Sequence, residues 1–160
     1  MSDVSEEAWY KSTLEFVKRR HEGKFDKNGE PYYRHFERVS DNLRRMFSHA
    51  SRSQIEAALL HDALEPNGSS MEELRRIGLE EEAIGIIKRI TLPTDGRSYL
   101  QYVQDLVSSG DIKSIEVKLC DNLEAYEAYK SATDAEGQTL FKDRYVPSRR
   151  MMEQALKISS

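Results

Sequence analysis

Apolar residues recur along this chain at spacings of three and four, the interval that builds one face of a helix. Trp9, Leu14, Phe16 and Val17 alternate with charges and predict a helix over residues 5–20, with Ser5 as a cap and acidic neighbours that suit the positive helix start. Residues 21–33 carry Gly23, Asn28-Gly29 and Pro31 and read as a loop. Phe36, Val39, Leu43 and Met46 then mark a helix over about 34–48. Ser51 or Ser53 starts the next, SRSQIEAALLHDALE, which Pro66-Asn67-Gly68 stops. Ser70 and Glu73 predict a capping box for a short helix over 70–77. Helices follow over 80–90, over 97–108 with Tyr99, Tyr102, Val103 and Leu106 on one stripe, and over 112–129 with Ile112, Ile115, Leu119, Leu123 and Tyr126 on another. After a polar turn at 131–137, a helix over 140–158 closes the chain, kinked or split at Pro147. No repeat, low-complexity tract or linker interrupts the pattern. The expectation is an all-α fold forming one domain over 1–160.

Composition narrows the function classes. The chain has 160 residues, enough to bury a core, with only four prolines and eight glycines to break long helices. Apolar residues make up 38% and charged residues 32%, polar for a globular protein but too well patterned for disorder. A net charge of -4 argues against a general nucleic-acid binder, whose footprint is basic. One cysteine excludes an internal disulfide and fits a reducing cytosol. The N-terminus lacks the basic-then-apolar order of a signal peptide, and no run approaches the ~18 apolar residues of a membrane span. A cytoplasmic protein with no membrane partner is expected.

The chemistry concentrates in residues 55–65, IEAALLHDALE. Apolar side chains surround this predicted helix, and His61 and Asp62 sit in its middle. An ionised carboxylate buried there has to be paired or bound to metal. Alone, the pair is equally compatible with buried polar groups satisfied by ordinary hydrogen bonds. His35, at the start of an amphipathic helix, and Asp121, inside the apolar stretch VKLCDNL, shift the balance towards a metal. Two imidazoles and two carboxylates form a mixed nitrogen and oxygen shell. Such a shell suits Mn²⁺ first, with Fe²⁺, Co²⁺, Ni²⁺ or Zn²⁺ as alternatives, and an octahedral ion would keep a water of lowered pKa.

The ordered set H…HD…D resembles the HD-domain phosphohydrolase superfamily over most of the chain, and is most similar to the hydrolase domain of RelA/SpoT-type alarmone enzymes and their small stand-alone relatives. The residues that carry the resemblance are His21-Glu22-Gly23, Gly29-Glu30-Pro31-Tyr32-Tyr33-Arg34-His35, Ala57-Ala58-Leu59-Leu60-His61-Asp62, Lys118-Leu119-Cys120-Asp121 and Arg144-Tyr145. It implies a compact HD-domain helical bundle, with His35, His61, Asp62 and Asp121 as metal ligands. The chain departs from the alarmone pattern at three places. Pro66 stands where a Glu-Asp pair would place its aspartate after Glu65. Asp26-Lys27 replaces an Arg-Lys pair that holds the guanosine end. Ala125 replaces an asparagine four residues after the last metal aspartate.

Further roles are assigned beside their plainer alternatives. Glu65, four residues after His61, is expected over the same helical face, orienting or deprotonating the attacking water; otherwise it is a surface glutamate at a helix end. Lys118 either meets a substrate phosphate or neutralises the carboxylates, unless it is a snorkelling surface lysine. Lys24, Lys27 and Arg34 are candidate phosphate or base contacts, or else solvated loop charges. Arg144 reaches substrate or bridges within the fold. Tyr99 and Tyr102 read as core, Cys120 as a small buried apolar residue, His49 as a surface residue and His21 as a group that fixes the loop before Pro31.

The leading expectation is a metal-dependent phosphohydrolase, of the class that cleaves phosphate esters, acting on a nucleotide or related small phosphorylated metabolite. Its alternatives are a (p)ppGpp 3′-pyrophosphohydrolase and a non-catalytic regulatory module that binds metal and nucleotide. Tyr and Met residues near the C-terminus leave room for a homodimer.

Overall fold

A helix with one apolar stripe is stable in water only when another helix covers that stripe. The computed structural model describes residues 3–65 and 68–158, so Pro66 and Asn67 of the expected helix stop lie outside the described residues. Helices run over Ala8–Arg20 (α1), Tyr33–Met46 (α2), Arg52–Leu59 (α3), Met71–Arg76 (α4), Glu81–Ile90 (α5), Tyr99–Ser109 (α6), Ile112–Lys130 (α7), Ala135–Leu140 (α8) and Val146–Leu156 (α9). A 3₁₀ turn at Val4–Glu6 precedes them, and a π turn at Phe141–Tyr145 joins α8 to α9. Among the described residues no strand forms, and an isolated antiparallel bridge joins Phe25 to Pro31. The fold is all-helical.

Two apolar clusters hold the helices. The larger takes Phe36, Val39 and Leu43 from α2, Ala57, Ala58 and Leu59 from α3, Ile86 and Ile87 from α5, and Val117 and Cys120 from α7. The smaller joins Val103 and Leu106 of α6 to Ile115 and Leu119 of α7 and Met152 of α9. Residues 115 and 117 point about 200° apart on a helix. Helix α7 is therefore apolar on two opposite sides and belongs to both clusters, where its sequence predicts a single stripe. Ile112, the expected first member of that stripe, is 48% exposed at the helix start.

Helix α3 is buried from Ser53 to Leu59, so its polar residues need partners. The Glu56 carboxylate, fully buried, accepts the Glu80 N–H at 3.1 Å and pairs with Arg52 at 3.3 Å. The Gln54 amide donates to the Lys113 carbonyl at 3.2 Å and to Glu116 at 2.8 Å. Ser51 and Gln54 form a reciprocal capping box at its start.

Several boundaries differ from the sequence reading. Helix α1 starts after Glu7, because Asp3 caps the preceding 3₁₀ turn by accepting the Ser5 N–H. At α4 only the Ser70 half of the expected box forms. A full box, Ser98 with Gln101, opens α6 instead. The expected turn at 131–137 ends sooner, since Asp134 caps α8 and Gly137 lies inside it. Pro147 sits in the first turn of α9, where its missing N–H costs no hydrogen bond, and the helix is split before it by the π turn.

The consequential difference lies at the end of α3. Leu60 adopts φ -126° and ψ 29°, which ends the helix at Leu59. The Ala58 carbonyl, which a continuing helix would offer to the Asp62 N–H, receives the His61 imidazole at 3.0 Å. His61, Asp62 and Glu65 thus occupy a run of turns after the helix, not its middle.

Trimming Leu43 to alanine in the larger cluster is expected to cost about 3 kcal/mol and to lower the thermal midpoint by roughly 6–12 °C. Ser51→Ala, which removes one cap, should cost only about 1 kcal/mol. Urea unfolding of the two variants checks the ranking.

Candidate metal centre

Three elements bring the sequence-selected groups together. Helix α2 carries His35 in its first turn, the turns after α3 carry His61 and Asp62, and α7 carries Asp121. One ligand atom from each of His35, His61 and Asp121 lies within 4.8 Å of the other two. The Asp121 Oδ1 is 3.2 Å from His61 Nε2 and 3.9 Å from His35 Nε2. The two imidazoles meet edge to face at 5.2 Å, and the Phe36 ring, fully buried below them, packs against both.

The second nitrogen of each imidazole is turned to the protein. His61 Nδ1 donates to the Ala58 carbonyl at 3.0 Å. His35 Nδ1 faces Glu124 Oε1 at 3.7 Å, and Arg38 holds that carboxylate through a 2.6 Å bond. His35 contact first, and Arg38 with it, keeps the Glu124 carboxyl below its usual range against the effect of burial. A proton fixed on Nδ1 leaves the Nε2 lone pair free, the form in which histidine binds metal. This donor set fits a divalent cation of borderline hardness.

Asp121 is the electrostatic centre. Burial pushes its carboxyl up, but His61, Lys118 and His35 outweigh that and hold it at about 2. Lys118, only 6% exposed, donates from Nζ to Asp121 Oδ2 at 3.3 Å and to the Ile90 carbonyl at 3.1 Å. Its ammonium also lies over the rings of Tyr99 and Tyr102. Burial disfavours the Lys118 charge, yet Asp121 raises its pKa above the ordinary lysine value. These contacts set the ammonium against a carboxylate and away from solvent.

Asp62 stands beside this set rather than within it. Its Oδ2 is 3.7 Å from His21 Nε2 and its Oδ1 is 3.7 Å from the Arg20 guanidinium. The Oδ1 atom is buried and accepts no hydrogen bond. Glu65, exposed in the turns that follow, has its carboxyl raised above the usual range, first by loss of hydration and then by the neighbouring Asp62 charge.

The other expected site residues are spread out. Lys24 and Lys27 are exposed in the loop. Arg34 pairs with Glu37 at 2.9 Å and lies over Tyr33. Arg144 lies over the rings of Tyr99 and Tyr145 at 5.1 and 5.9 Å. Asp26 closes its own turn by accepting the N–H groups of Asn28 and Glu30. Ala125 is half-buried on α7, one turn beyond Asp121. Tyr102 is core, its hydroxyl pushed up to about 12 by burial and donating to the Arg89 carbonyl, and Tyr99 accepts from Asn122. Cys120 is fully buried and His49 exposed, as their sequence contexts suggest. His21 does more than brace its loop, since it stacks on Phe36 at 4.5 Å and reaches Asp62.

Sequence reading missed Arg20, Glu124 and Arg38. Glu124 was within reach of it, because residues three apart on a helix share a face and Asp121 is its neighbour there. Arg20 gives no such signal. A basic residue in the last turn of a helix is accounted for by the helix dipole alone.

No protein-family model matches the chain, and no curated protein matches it. A solved structure does, that of a protein described as a metazoan ortholog of SpoT that hydrolyzes ppGpp and plays a role in starvation responses. The likeness covers 94% of this chain and 86% of that one, with 22% identity and a TM-score of 0.74. The chain therefore has that protein's all-helical fold. Among the described residues no helix is long and apolar enough to cross a membrane.

Lys118→Met would leave Asp121 without its lysine partner and should destabilise the protein by about 3 kcal/mol. Asp121 also sets an acid limit. Its folded value of about 2 lies below the ordinary 3.8, so its contribution is complete above pH 4 and fades as the pH falls towards 2. Unfolding free energies measured with chelator between pH 5 and 2.5 should fall more steeply for the parent than for Asp121→Asn.

Proposed function

We propose that this chain is an HD-type metal-dependent phosphohydrolase, a single domain that acts on a nucleotide or a related small phosphorylated metabolite. The observation that carries the proposal is the convergence of His35, His61 and Asp121, from three separate elements, within 4.8 Å of one another. Asp62, next to His61 and with a buried oxygen that accepts no hydrogen bond, completes the proposed ligand set. The fold shared with a ppGpp-hydrolysing protein supports the same reading.

A divalent ion held there, Mn²⁺ first among the candidates, supplies Lewis acidity and a water of lowered pKa. The chain's own residues do the rest. The Lys118 ammonium offsets part of the carboxylate charge, which makes an anionic phosphate more tolerable beside it. Glu65, with its carboxyl raised towards neutrality, is suited to accept a proton from the attacking water. Lys24 and Lys27 on the loop, and Arg144 beyond α7, are the proposed cations for the phosphate and the rest of the substrate. Arg34, already paired with Glu37, is the weakest of the group.

The structural neighbour favours (p)ppGpp as a second reading. Asp26 opposes it, because its carboxylate closes its own turn where the alarmone pattern places a guanosine-holding arginine. A regulatory module that binds but does not turn over is the third, and Ala125 and Pro66 are its support.

With Mn²⁺, Co²⁺ or Ni²⁺ the protein should release phosphate or pyrophosphate from at least one member of a nucleotide panel. Chelation should abolish the release, and Asp62→Ala should lower it by 100-fold or more, roughly the scale of losing one group with a transition-state role. Full activity in Asp62→Ala would sink the hydrolase reading. Pyrophosphate from (p)ppGpp selects the second reading, and metal and nucleotide binding without turnover across the panel selects the third.

A further inference from the structure

A buried histidine and a partly buried arginine that the proposed chemistry leaves unused meet at Asp62. The Arg20 side chain, 16% exposed at the end of α1, spreads its guanidinium over three groups. It donates to the Asp62 carbonyl at 3.3 Å and to Ser69 Oγ at 3.0 Å, and it pairs with the Asp62 carboxylate at 3.7 Å. The neighbouring Arg19 is exposed. The side chain of His21 is 3% exposed, with Nε2 3.7 Å from the other oxygen of the same carboxylate. The Arg20 Nε and both His21 ring nitrogens are buried without a hydrogen bond, and the ion contacts of both residues go to Asp62.

Burying a guanidinium is costly, and a helix end needs no such burial to satisfy its dipole. The return here is geometric. Asp62 lies beyond the end of α3, in turns where no helical hydrogen bond fixes its direction. Arg20 and His21 each stand 3.7 Å from one of its two carboxylate oxygens, while Arg20 also hydrogen-bonds residues 62 and 69, which flank Glu65 in the chain, to α1. Phe36, stacked on His21 and packed against His35 and His61, makes the brace continuous with the metal-facing imidazoles.

We infer that Arg20 and His21 are positioning residues of the metal centre, which set the direction of the Asp62 carboxylate and the placement of the turn bearing Glu65. The inference rests on the metal-site reading above. In this role neither residue would be a metal ligand; both would act through Asp62.

Calorimetric titration of the full chain with Mn²⁺ alone tests this without any substrate. Outer residues that orient metal ligands are worth about 10–100-fold in metal affinity. Arg20→Met and His21→Gln should each weaken Mn²⁺ binding by about tenfold or more, and Arg20→Lys, which keeps the charge but loses the fork, should fall between Arg20→Met and the parent. Arg19→Met, a loss of the same charge one residue away, should bind as the parent does. In an Asp62→Asn background the Arg20→Met and His21→Gln effects should vanish, which a general loosening of the fold would not produce. Thermal midpoints verify that each variant folds, and if Arg20→Met does not, Arg20→Lys and His21→Gln carry the test. Parent-like affinity in Arg20→Met and His21→Gln, or losses that persist without the Asp62 charge, would overturn the inference while leaving the metal site intact. A parent protein that takes up no Mn²⁺ overturns the metal-site reading, and this inference with it.

Discussion

The negative charge of Asp121, carried on a helix shared by two apolar cores, is the constraint around which the site is arranged. A carboxylate in such surroundings is tolerable only with cationic or polarisable partners close by. Lys118 answers from the same helix, His35 from α2 and His61 from the turns that follow α3. The lysine cannot serve as a free surface cation, because its other contacts are the Ile90 carbonyl and two tyrosine rings. What remains beside Asp121 is an open arrangement of nitrogen lone pairs and carboxylate oxygens, with the excess charge already partly compensated.

The end of α3 matters as much. By stopping at Leu59 the chain gives up a regular helical backbone just before His61 and Asp62. The His61 ring takes the carbonyl that the helix leaves open, so the break that ends the helix also selects the imidazole's tautomer. Asp62, freed from the helix, can be directed by residues from elsewhere in the chain. Arg20 and His21 do this from the end of α1.

Around that centre the outer contacts grade from rigid to exposed. Glu124 meets His35 from α7 and is itself held by Arg38 of α2, and Phe36 underlies three histidine rings. Lys24, Lys27 and Glu65 stand in exposed loops and turns, where groups that contact substrates commonly lie.

The helical fold was legible in the sequence, because spacings of three and four record which side of each helix meets its neighbours. The same reading singled out His35, His61 and Asp121, whose ligand atoms the structure gathers within 4.8 Å of one another, and Asp62, which stands beside them. Cap and boundary details were less legible: the helix that seemed to run through His61 and Asp62 stops at Leu59, and a lysine with two possible roles turns inward. Those outcomes depend on contacts between residues dozens of positions apart, such as Arg20 with Ser69 and Lys118 with Ile90. Periodicity reports the local cost of exposing or burying a side chain. Which distant carbonyl or carboxylate will meet a given cation is decided only when the helices pack, because that energy belongs to the pair and to neither residue alone.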